Sequence, residues 1–406
     1  MKRHILTQIK NDWRENVWFV IELMVVFLVV WAMLSILYMV NKGLMLPRGF
    51  DPENVYVANT NWVPSDSPHH IATDQGDSLD LGDLVSRIAE NEHVESAAVA
   101  SSIPYNFNYD GRMIFLADEA DSIGYLGNVR SCTPDFVNVL QIKSRTGSTR
   151  EQLKEMLTRG EILISDNAEY SASGADPFEL KGKKVIFGND STHTYRVGDV
   201  IEKVRRNDYE DSYAGSIIMA ELPNELYGDV IIRIKPGHEA AFINDFDNKA
   251  ELRGQRNIYL TDLLPMSTLR ASNQRSIVIA NRTMILIICF MLLTVFLGLL
   301  GSFWFRMQQR VGEIAIRKVC GATRRDVFRR VITEGMILLL IAVVPASACV
   351  WPFATDLREM TEESLWVLVV TELIALAIVA AGVAVSLWYP ARRAMSVEPA
   401  VAIKAE

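Results

Sequence analysis

Four long apolar segments, separated by polar stretches, dominate the pattern of hydrophobic and polar positions along the chain. They cover residues 18–40, 277–304, 331–352 and 365–389. A helix needs about 20 mostly apolar residues to cross a bilayer, because it rises about 1.5 Å per residue through about 30 Å of hydrocarbon. Aromatic residues, which favour the headgroup layer, lie near the segment ends: Trp18, Tyr38, Phe303, Trp304, Trp351, Phe353, Trp366, Trp388 and Tyr389. The pattern predicts four transmembrane helices.

Two alternatives to this prediction are weaker. Buried helices of a large soluble protein would not combine four such segments with interfacial aromatics and charged flanks. A cleavable signal peptide at the first segment would need a shorter apolar run and an Ala-x-Ala-like site, and none follows. Within the segments, Glu22 lies near a predicted end. Glu334 and Glu372 are intramembrane carboxylates, which are usually functional or paired. The expected partner of Glu372 is Arg282 or a polar group of another helix.

The distribution of charge predicts the orientation. Lysine and arginine stay on the cytoplasmic side, and residues 305–330 carry eight of them against two acids. Basic residues also cluster before the first segment and after the fourth, whereas residues 353–364 are mainly acidic. Both termini are therefore expected in the cytoplasm. Residues 41–275 are expected outside, and they contain 24 basic and 36 acidic residues, a net charge of −12.

The predicted fold class is an integral membrane α-helical protein with four transmembrane helices and a large α+β extracytoplasmic domain between helices 1 and 2. The predicted order is a cytoplasmic segment (1–17), helix 1 (18–40), the extracytoplasmic domain (41–275), helix 2 (277–304), a cytoplasmic coupling loop (305–330), helix 3 (331–352), a short extracytoplasmic loop (353–364), helix 4 (365–389) and a cytoplasmic tail (390–406).

The middle region alternates short β-rich runs with helical runs, separated by Gly, Asp and Asn, which favours an α+β domain of two subdomains. Residues 60–78 are polar and rich in Pro, Ser and Asp, so a mobile loop is expected there. His69 and His70 lie near aspartates, but adjacent histidines in such a loop are more often solvated than metal-bound. His93, His193 and His238 are scattered singly in the sequence. No metal site and no catalytic residue are predicted.

Several classes of function are disfavoured. A net charge of −8 argues against nucleic acid, which calls for a basic stripe. The chain contains no Gly-x-Ser-x-Gly nucleophile elbow and no Gly-x-x-x-x-Gly-Lys-(Ser/Thr) loop. It is therefore not expected to bind ATP in a P-loop by itself. Only Cys132 of the four cysteines lies in the middle region, so no internal disulfide is expected there.

The loop between the second and third segments is the most informative part of the sequence. It contains Glu313-Ile-Ala-Ile-Arg-Lys-Val-Cys-Gly-Ala-Thr323 and predicts two short amphipathic helical pieces around Gly321. An alternative is a plain basic loop that contacts anionic lipid headgroups. A generic loop would not need this ordered motif.

This loop resembles the signature of the FtsX-like/MacB-like family of ABC transporter permeases, where Glu-Ile-Gly-Ile-Arg-(Lys/Arg)-x-x-Gly-Ala follows the second membrane helix. Glu313, Ile314, Ile316, Arg317, Lys318, Gly321 and Ala322 match it. Ala315 replaces a common glycine, and Val319-Cys320 replaces the usual pair. Glu334, which opens the third segment, and the Tyr389–Ala400 tail also resemble the family, and the outer domain resembles it less strongly.

The resemblance implies a non-catalytic permease subunit in the bacterial inner membrane. It implies a separate cytoplasmic ABC ATPase that holds ATP and Mg²⁺, a second permease chain as homodimer or heterodimer partner, contact with membrane lipid, and in some members a periplasmic adaptor or target. The loop would dock on the ATPase, and exposed Arg317, Arg324 and Arg325 would pair with its acids. Function would be export or mechanotransmission by a MacB-like periplasmic domain.

A membrane-anchored sensor is an alternative, but it would need a larger cytoplasmic output domain. A membrane-bound hydrolase would need a catalytic constellation. The substrate stays open.

Overall fold

A computed structural model describes residues 13–71, 77–106, 108, 110–117, 124–166, 176–188, 190–209, 215–220, 228–361 and 365–396. The chain forms two compact units. We call Met1–Asn41 with Ala280–Glu406 the helical unit, and Lys42–Ile279 the sheet domain. Each is described separately.

The described elements are as follows in chain order. The helices are α1 (Trp13–Asn41), α2 (Asp77–Ala89), α3 (Phe136–Val139), α4 (Arg150–Thr158), α5 (Pro177–Leu180), α6 (Glu239–Asn248), α7 (Ala250–Arg253), α8 (Met266–Gln309), α9 (Val311–Val319), α10 (Arg324–Thr361) and α11 (Leu365–Ser396). The strands are β1 (Val55–Trp62), β2 (Val94–Ala100), β3 (Gly111–Leu116), β4 (Tyr125–Cys132), β5 (Ile162–Ser165), β6 (Lys184–Phe187), β7 (Asp190–Ile201), β8 (Gly215–Ala220), β9 (Asp229–Ile234), β10 (Gly254–Gln255) and β11 (Ile258–Pro265). A 3₁₀ turn, Lys42–Met45, follows α1.

Four helices, α1, α8, α10 and α11, are long and apolar enough to cross a membrane. Their ends differ from the sequence prediction. Helix α8 begins at Met266 rather than residue 277 and has 44 residues, about 66 Å at 1.5 Å per residue. Helix α10 continues to Thr361, so the predicted loop 353–364 is helical up to that residue, and α11 continues to Ser396. Hydropathy marks only the apolar part of each helix, whereas polar helix formers extend it at the ends.

The core of the helical unit is built from stripes that recur every three or four residues. Phe19, Leu23 and Phe27 on α1 are buried, and α11 buries Ala375, Val379, Val383 and Leu387 at intervals of four. Side chains at this spacing share one helix face. Small residues on α10 and α11 let the helices approach closely.

Gly382 on α11 marks the tightest of these contacts with α8. A Cβ atom there would lie 2.0 Å from Cε1 of Phe296. We therefore expect Gly382→Leu to lower the free energy of unfolding by about 1–3 kcal/mol, because the larger side chain overpacks this contact. Thermal unfolding of the full chain in detergent would measure this. Ala381→Leu adds its bulk at an exposed neighbour and should leave the midpoint unchanged. Equal losses in both variants would contradict the packing argument.

Glu22 and Glu372, two of the carboxylates within the apolar stretches, have partners on other helices. The hydroxyl of Ser302 on α8 donates to Oε1 of Glu22 on α1 at 2.9 Å. The hydroxyl of Ser347 on α10 donates to Oε1 of Glu372 on α11. The partner of Glu372 is thus a hydroxyl of another helix, not Arg282. Such bonds lower the energy of a carboxylate in hydrocarbon.

The sheet domain is organised around one sheet in the order β10-β11-β1-β9-β2-β4-β3-β6-β7-β5-β8. Strand β8 also pairs in parallel with β4, from Gly127↔Gly215 to Cys132↔Ala220. This second pairing closes β4, β3, β6, β7, β5 and β8 into a ring. The strands from β10 to β2 stay open, and one pair, Ala100↔Cys132, joins them to the ring. The fold is α+β, with an open part and a closed part.

The open part of the sheet buries apolar side chains on both of its faces. On β9, Val230, Ile232 and Ile234 pack beneath helices α2, α6 and α7. Ile231 between them points to the other face, where it joins a core with α3 and α4. Successive side chains of a strand face opposite ways, so a continuous apolar run suits a strand covered on both sides. Side chains of all six ring strands fill a third core.

The structure adds contacts for two features of the sheet domain that the sequence had marked. The segment after β1 is anchored, because Asn257 receives a hydrogen bond from the Ile71 amide at 2.8 Å and donates to its carbonyl at 2.9 Å. Residues 72–76 lie outside the described residues. His93 and His238 are not isolated, since their Nδ1 atoms lie 3.0 Å apart. Within the described part of the chain, no group of three or more His, Cys, Asp or Glu could hold a metal ion.

Candidate functional site

The predicted coupling segment folds as helix α9, a tight turn and the start of α10. The turn is a Schellman motif, in which the Ala322 amide donates to the Arg317 carbonyl at 3.0 Å and the Gly321 amide donates to the Lys318 carbonyl at 3.1 Å. Gly321 has φ +94°, which is strained for other residues. The Gly-Ala pair of the motif therefore ends α9 and turns the chain.

The next residue starts α10. The Thr323 hydroxyl accepts a hydrogen bond from the Asp326 amide at 3.2 Å, and the Asp326 carboxylate accepts one from the Thr323 amide at 3.1 Å. This reciprocal arrangement is a capping box with aspartate in the acidic position. The order Gly-Ala-Thr-x-x-Asp thus specifies both a helix end and a helix start.

The two faces of this helix-turn-helix segment differ. Ile314 and Val327 are buried against each other with Met307 and Ala322. Ile316 and Val319, three residues apart on α9, are 57% and 65% exposed. Arg324 and Arg325 are exposed at the start of α10. The inner face holds the turn in place, and the outer face presents two aliphatic side chains and two arginines. We call Ile316, Val319, Arg324 and Arg325 the outer face.

A chain of ion pairs connects α9 to the long helices. Glu334 on α10 accepts a hydrogen bond from Arg310 at 2.7 Å. Arg310 Nε lies 3.2 Å from a carboxylate oxygen of Glu313, which in turn pairs with Arg317. Arg306, near the end of α8, lies 3.4 Å from the same Glu334 oxygen. We call Arg306, Arg310, Glu313, Arg317 and Glu334 the charge ladder.

The charge ladder continues to a third long helix. Arg306 also donates to the side chain of Asn16 on α1, and its guanidinium lies 5.3 Å from the ring centroid of Phe19. Phe19 packs edge-on against Phe303 of α8, with centroids 4.6 Å apart. The side chains of Arg306, Arg310 and Glu334 are only 12–22% exposed. Helix α9 is therefore linked through partly buried charges to α1, α8 and α10.

The structure divides the predicted site residues into groups. Glu313, Arg317 and Glu334 belong to the charge ladder, while Ile314, Gly321 and Ala322 build the turn. Ile316, Arg324 and Arg325 lie on the outer face. Lys318 is partly exposed, and burial lowers its pKa, with repulsion from Arg324 adding to the shift. Glu372 is separate from all of these and bonds to Ser347.

Three residues of this region were not predicted as site residues. Arg310, Arg306 and Val319 belong to the charge ladder or the outer face. The spacing Arg310-x-x-Glu313-x-x-x-Arg317 is a signal for the first of them, because residues three and four apart share a helix face. The contact of Arg306 with Asn16 joins residues 290 positions apart, and one sequence contains no signal for it.

A second constellation lies in the sheet domain, around Asp208 in the segment after β7. Its carboxylate accepts hydrogen bonds from Arg270 Nε at 2.6 Å, Tyr105 Oη at 2.9 Å and Arg48 Nε at 3.0 Å. Burial would raise the pKa of Asp208, but hydrogen bonding by Gln274, Arg270 and Tyr105, together with the positive charge of Arg270, holds the pKa below its ordinary value. The same environment raises the pKa of Tyr105, first through burial and then through the Asp208 charge.

Asp208 thereby ties together the two stretches that connect the sheet domain to the transmembrane helices in sequence. Arg48 follows α1 and its 3₁₀ turn, and Arg270 lies in the first turns of α8. Arg205 reinforces the joint by donating to the carbonyls of Gly43 at 2.6 Å and Asp208 at 2.9 Å. We call Arg48, Tyr105, Arg205, Asp208 and Arg270 the Asp208 clamp.

The backbone at the clamp leaves little room for change. Gly49 has φ +73°, and a Cβ atom there would lie 2.0 Å from the Lys203 carbonyl oxygen. A Cβ on Gly43 would approach the Tyr209 carbonyl group to 2.7 Å. Tyr105 itself has φ +65°, a strained conformation for a bulky residue. Such strain persists only where surrounding contacts stabilise the backbone. The contacts at this joint therefore hold the backbone in one conformation.

Comparison with known families identifies the C-terminal region. Residues 285–399 match the family model FtsX-like permease C-terminal. This part of the chain is FtsX-like. The match includes most of α8 and all of α9 and α10, so the resemblance inferred from the coupling segment is confirmed there. A comparison with curated protein sequences finds no significant match.

Three solved structures resemble part of the chain. One is the periplasmic region of MacB from Actinobacillus actinomycetemcomitans, with 12% identity, a TM-score of 0.32, and 54% of this chain and 94% of that chain covered. A permease-protein domain from Porphyromonas gingivalis has 16% identity and a TM-score of 0.31, with 54% and 94% covered. The extracellular domain of the noncanonic ABC-type transporter YknZ from Gram-positive bacteria has 11% identity and a TM-score of 0.31, with 52% and 100% covered.

Proposed function

We propose that this chain is the membrane subunit of an ABC transporter and couples ATP hydrolysis in a separate cytoplasmic ATPase to movement of the sheet domain. The observation that carries the proposal is the charge ladder, which links the predicted docking segment to α1, α8 and α10. The FtsX-like match over residues 285–399 supports it. In this proposal ATP and Mg²⁺ belong to the ATPase and the permease chain carries out no chemistry.

The outer face is the proposed docking surface for the ATPase. Ile316 and Val319 would enter an apolar groove, while Arg324 and Arg325 would meet carboxylates at its rim. An exposed aliphatic pair at a three-residue spacing is the pattern of a helix anchored in a groove. Buried apolar anchors carry most of the energy of such contacts, and rim charges contribute mainly to rate and specificity.

Ile316→Asp is expected to weaken co-purification of the ATPase with the chain by at least about tenfold, because the change removes an anchor and buries a charge in the groove. Pull-down of tagged chain from its native host membranes, with the ATPase identified by mass spectrometry, measures this. Ile243→Asp, at an exposed isoleucine on α6 of the sheet domain, is the control and should retain the ATPase. If wild-type chain brings down no ABC ATPase, the proposed function is wrong.

We further propose that two permease chains associate through α8. Only 6% of its most apolar stretch is buried within the chain, against 22–33% for the other three long helices. Leu286, Phe290, Leu293 and Leu297 are 57–70% exposed at alternating spacings of four and three. That spacing is typical of a knobs-into-holes seam, and nothing within 4 Å would obstruct a Cβ on Gly301, one turn after Leu297.

Gly301→Ile is expected to shift the chain from dimer to monomer in detergent, because a branched side chain beside the seam separates the helices. Mass photometry across a dilution series would measure the shift. Gly298→Ile makes the same change about 100° around α8 from Leu297, away from the seam, and should leave the dimer intact. A wild-type chain that is monomeric at every concentration would contradict association through α8.

The proposed topology places both termini in the cytoplasm and the sheet domain outside the bacterial inner membrane. The basic residues of α9 and of the start of α10 support this orientation, because positive charge stays on the cytoplasmic side. The sheet domain would then act on an extracytoplasmic adaptor or target. Export and mechanotransmission both fit this arrangement.

A further inference from the structure

The ends of α8 and α11 carry a cluster of aromatic and basic side chains that the proposed function does not use. It consists of Trp304, Trp388, Tyr389, Arg392 and Arg393, which we call the basic-aromatic cluster. Trp304 and Tyr389 stack with centroids 5.6 Å apart and an interplanar angle of 18°. The Arg393 guanidinium lies 4.6 Å from the Trp304 centroid, and that of Arg392 lies 4.5 Å from the Trp388 centroid.

The depth of the cluster matches the boundary of a bilayer. The aromatic residues stand at the ends of the two apolar stretches, where indole and phenol rings favour the headgroup layer. Arg392 and Arg393 follow Trp388 and Tyr389 by four residues, one helical turn or about 6 Å farther along α11. This places two guanidinium groups on one helical turn, at the level where lipid phosphates lie.

The geometry of the arginines suits an anion. Stacking over a ring fixes the plane of a guanidinium and leaves its N–H edges available for hydrogen bonds. Both arginines are exposed, and Arg392 forms no ion pair with any described carboxylate. A planar fork of donors matches two oxygens of a phosphate, which a lysine would contact only as a point charge. Two such groups on one helical turn favour an anionic ligand over a neutral one.

We propose that the basic-aromatic cluster binds the phosphate of an anionic phospholipid. Arg392 and Arg393 hold the phosphate, Trp388 and Trp304 orient the arginines, and the acyl chains lie along the apolar surface that includes Val385, 72% exposed and one turn before Trp388. The bound lipid fixes the depth of α8 and α11 in the bilayer. This proposal does not depend on an ATPase partner.

Native mass spectrometry of the full chain in detergent, titrated with phosphatidylglycerol and separately with phosphatidylcholine, tests the proposal. Wild-type chain is expected to bind phosphatidylglycerol more tightly. The double variant Arg392→Gln with Arg393→Gln should weaken that binding about 25-fold, since each basic residue at an anionic leaflet contributes about fivefold. Trp388→Leu keeps both charges and should weaken it about fivefold through loss of one cation–π contact.

The matched control is Lys183→Gln with Lys184→Gln, an equal loss of adjacent exposed charge in the sheet domain. This variant should bind phosphatidylglycerol like wild type. The proposal is overturned by equal affinities for the two lipids, by unchanged affinity in both cluster variants, or by an equal loss in the control. Displacement of the lipid by excess inorganic phosphate would also overturn it, because the site would then be one for a soluble anion. Trp388→Leu decides the matter if the double variant misfolds.

Discussion

Glu334→Gln is expected to abolish stimulation of the partner ATPase by the chain while leaving the ATPase bound. The substitution removes a carboxylate that contacts both Arg306 and Arg310, so each of these partly buried guanidinium groups loses an ion-pair partner. Breaking fully buried pairs costs about 3–5 kcal/mol, and the remaining exposure of these groups lowers the expected loss of stability to about 2 kcal/mol. ATP hydrolysis by the co-purified complex, together with the amount of ATPase retained, measures the outcome.

Two comparisons make this expectation specific. Glu313→Gln removes a more exposed carboxylate of the same charge ladder and should reduce stimulation only partially, because its pairs lie within or next to α9. Glu155→Gln breaks an exposed ion pair on α4 and should have no effect. Normal stimulation in Glu334→Gln would show that the charge ladder does not transmit movement. Loss of ATPase binding would instead assign Glu334 to docking.

Helix existence and the coupling turn were predictable because both depend on local sequence. Apolar length alone identifies the four long helices, and Gly321 at a helix end requires only the preference for positive φ. The ends of the helices were less predictable. Residues 266–276 are polar, so hydropathy does not mark them as part of α8, although the helix includes them.

The strands of the sheet domain were predicted unevenly for a related reason. Runs such as Val230–Ile234 and Lys184–Phe187 carry the β-rich signal, and the structure contains both strands. Strand β4 was missed because it contains Gly127 and Asn128, residue types that are rare in strands, and the charged Arg130. The closed ring buries these three residues of β4. The ring closes through the pairing of β4 with β8, which joins residues nearly 90 positions apart.

The Asp208 clamp was missed entirely, and its composition explains why. Arg48, Tyr105, Asp208 and Arg270 are spread over more than 200 residues, and none lies in a recognisable motif. Each looks like an ordinary surface residue in one sequence. Only the folded domain brings the stretch after α1 and the start of α8 to the same carboxylate. The clamp is therefore where the proposed movement of the transmembrane helices would enter the sheet domain.

Asp208→Asn is expected to disconnect nucleotide-driven movement of the sheet domain from ATP hydrolysis. The amide keeps the size of the side chain but removes the charge that holds Arg48 and Arg270, so the entry and exit stretches are released from each other. Double electron–electron resonance between labels at Thr158→Cys and Gln309→Cys, with the three exposed native cysteines replaced by serine, measures the movement. The wild-type distance should change on ATP binding, and the variant distance should not.

ATP hydrolysis should remain near the wild-type rate in Asp208→Asn, which separates this variant from Glu334→Gln. The matched control is Asp166→Asn, which weakens a different aspartate–arginine pair of the sheet domain, with Arg145.

Because the folded pKa of Asp208 lies below its ordinary value, its contribution to stability is present at neutral pH and is lost only as the pH falls through that depressed pKa. The wild-type distance change should accordingly be constant from neutral to mildly acidic pH. A distance change that survives in Asp208→Asn would show that movement reaches the sheet domain by α8 alone, without the clamp.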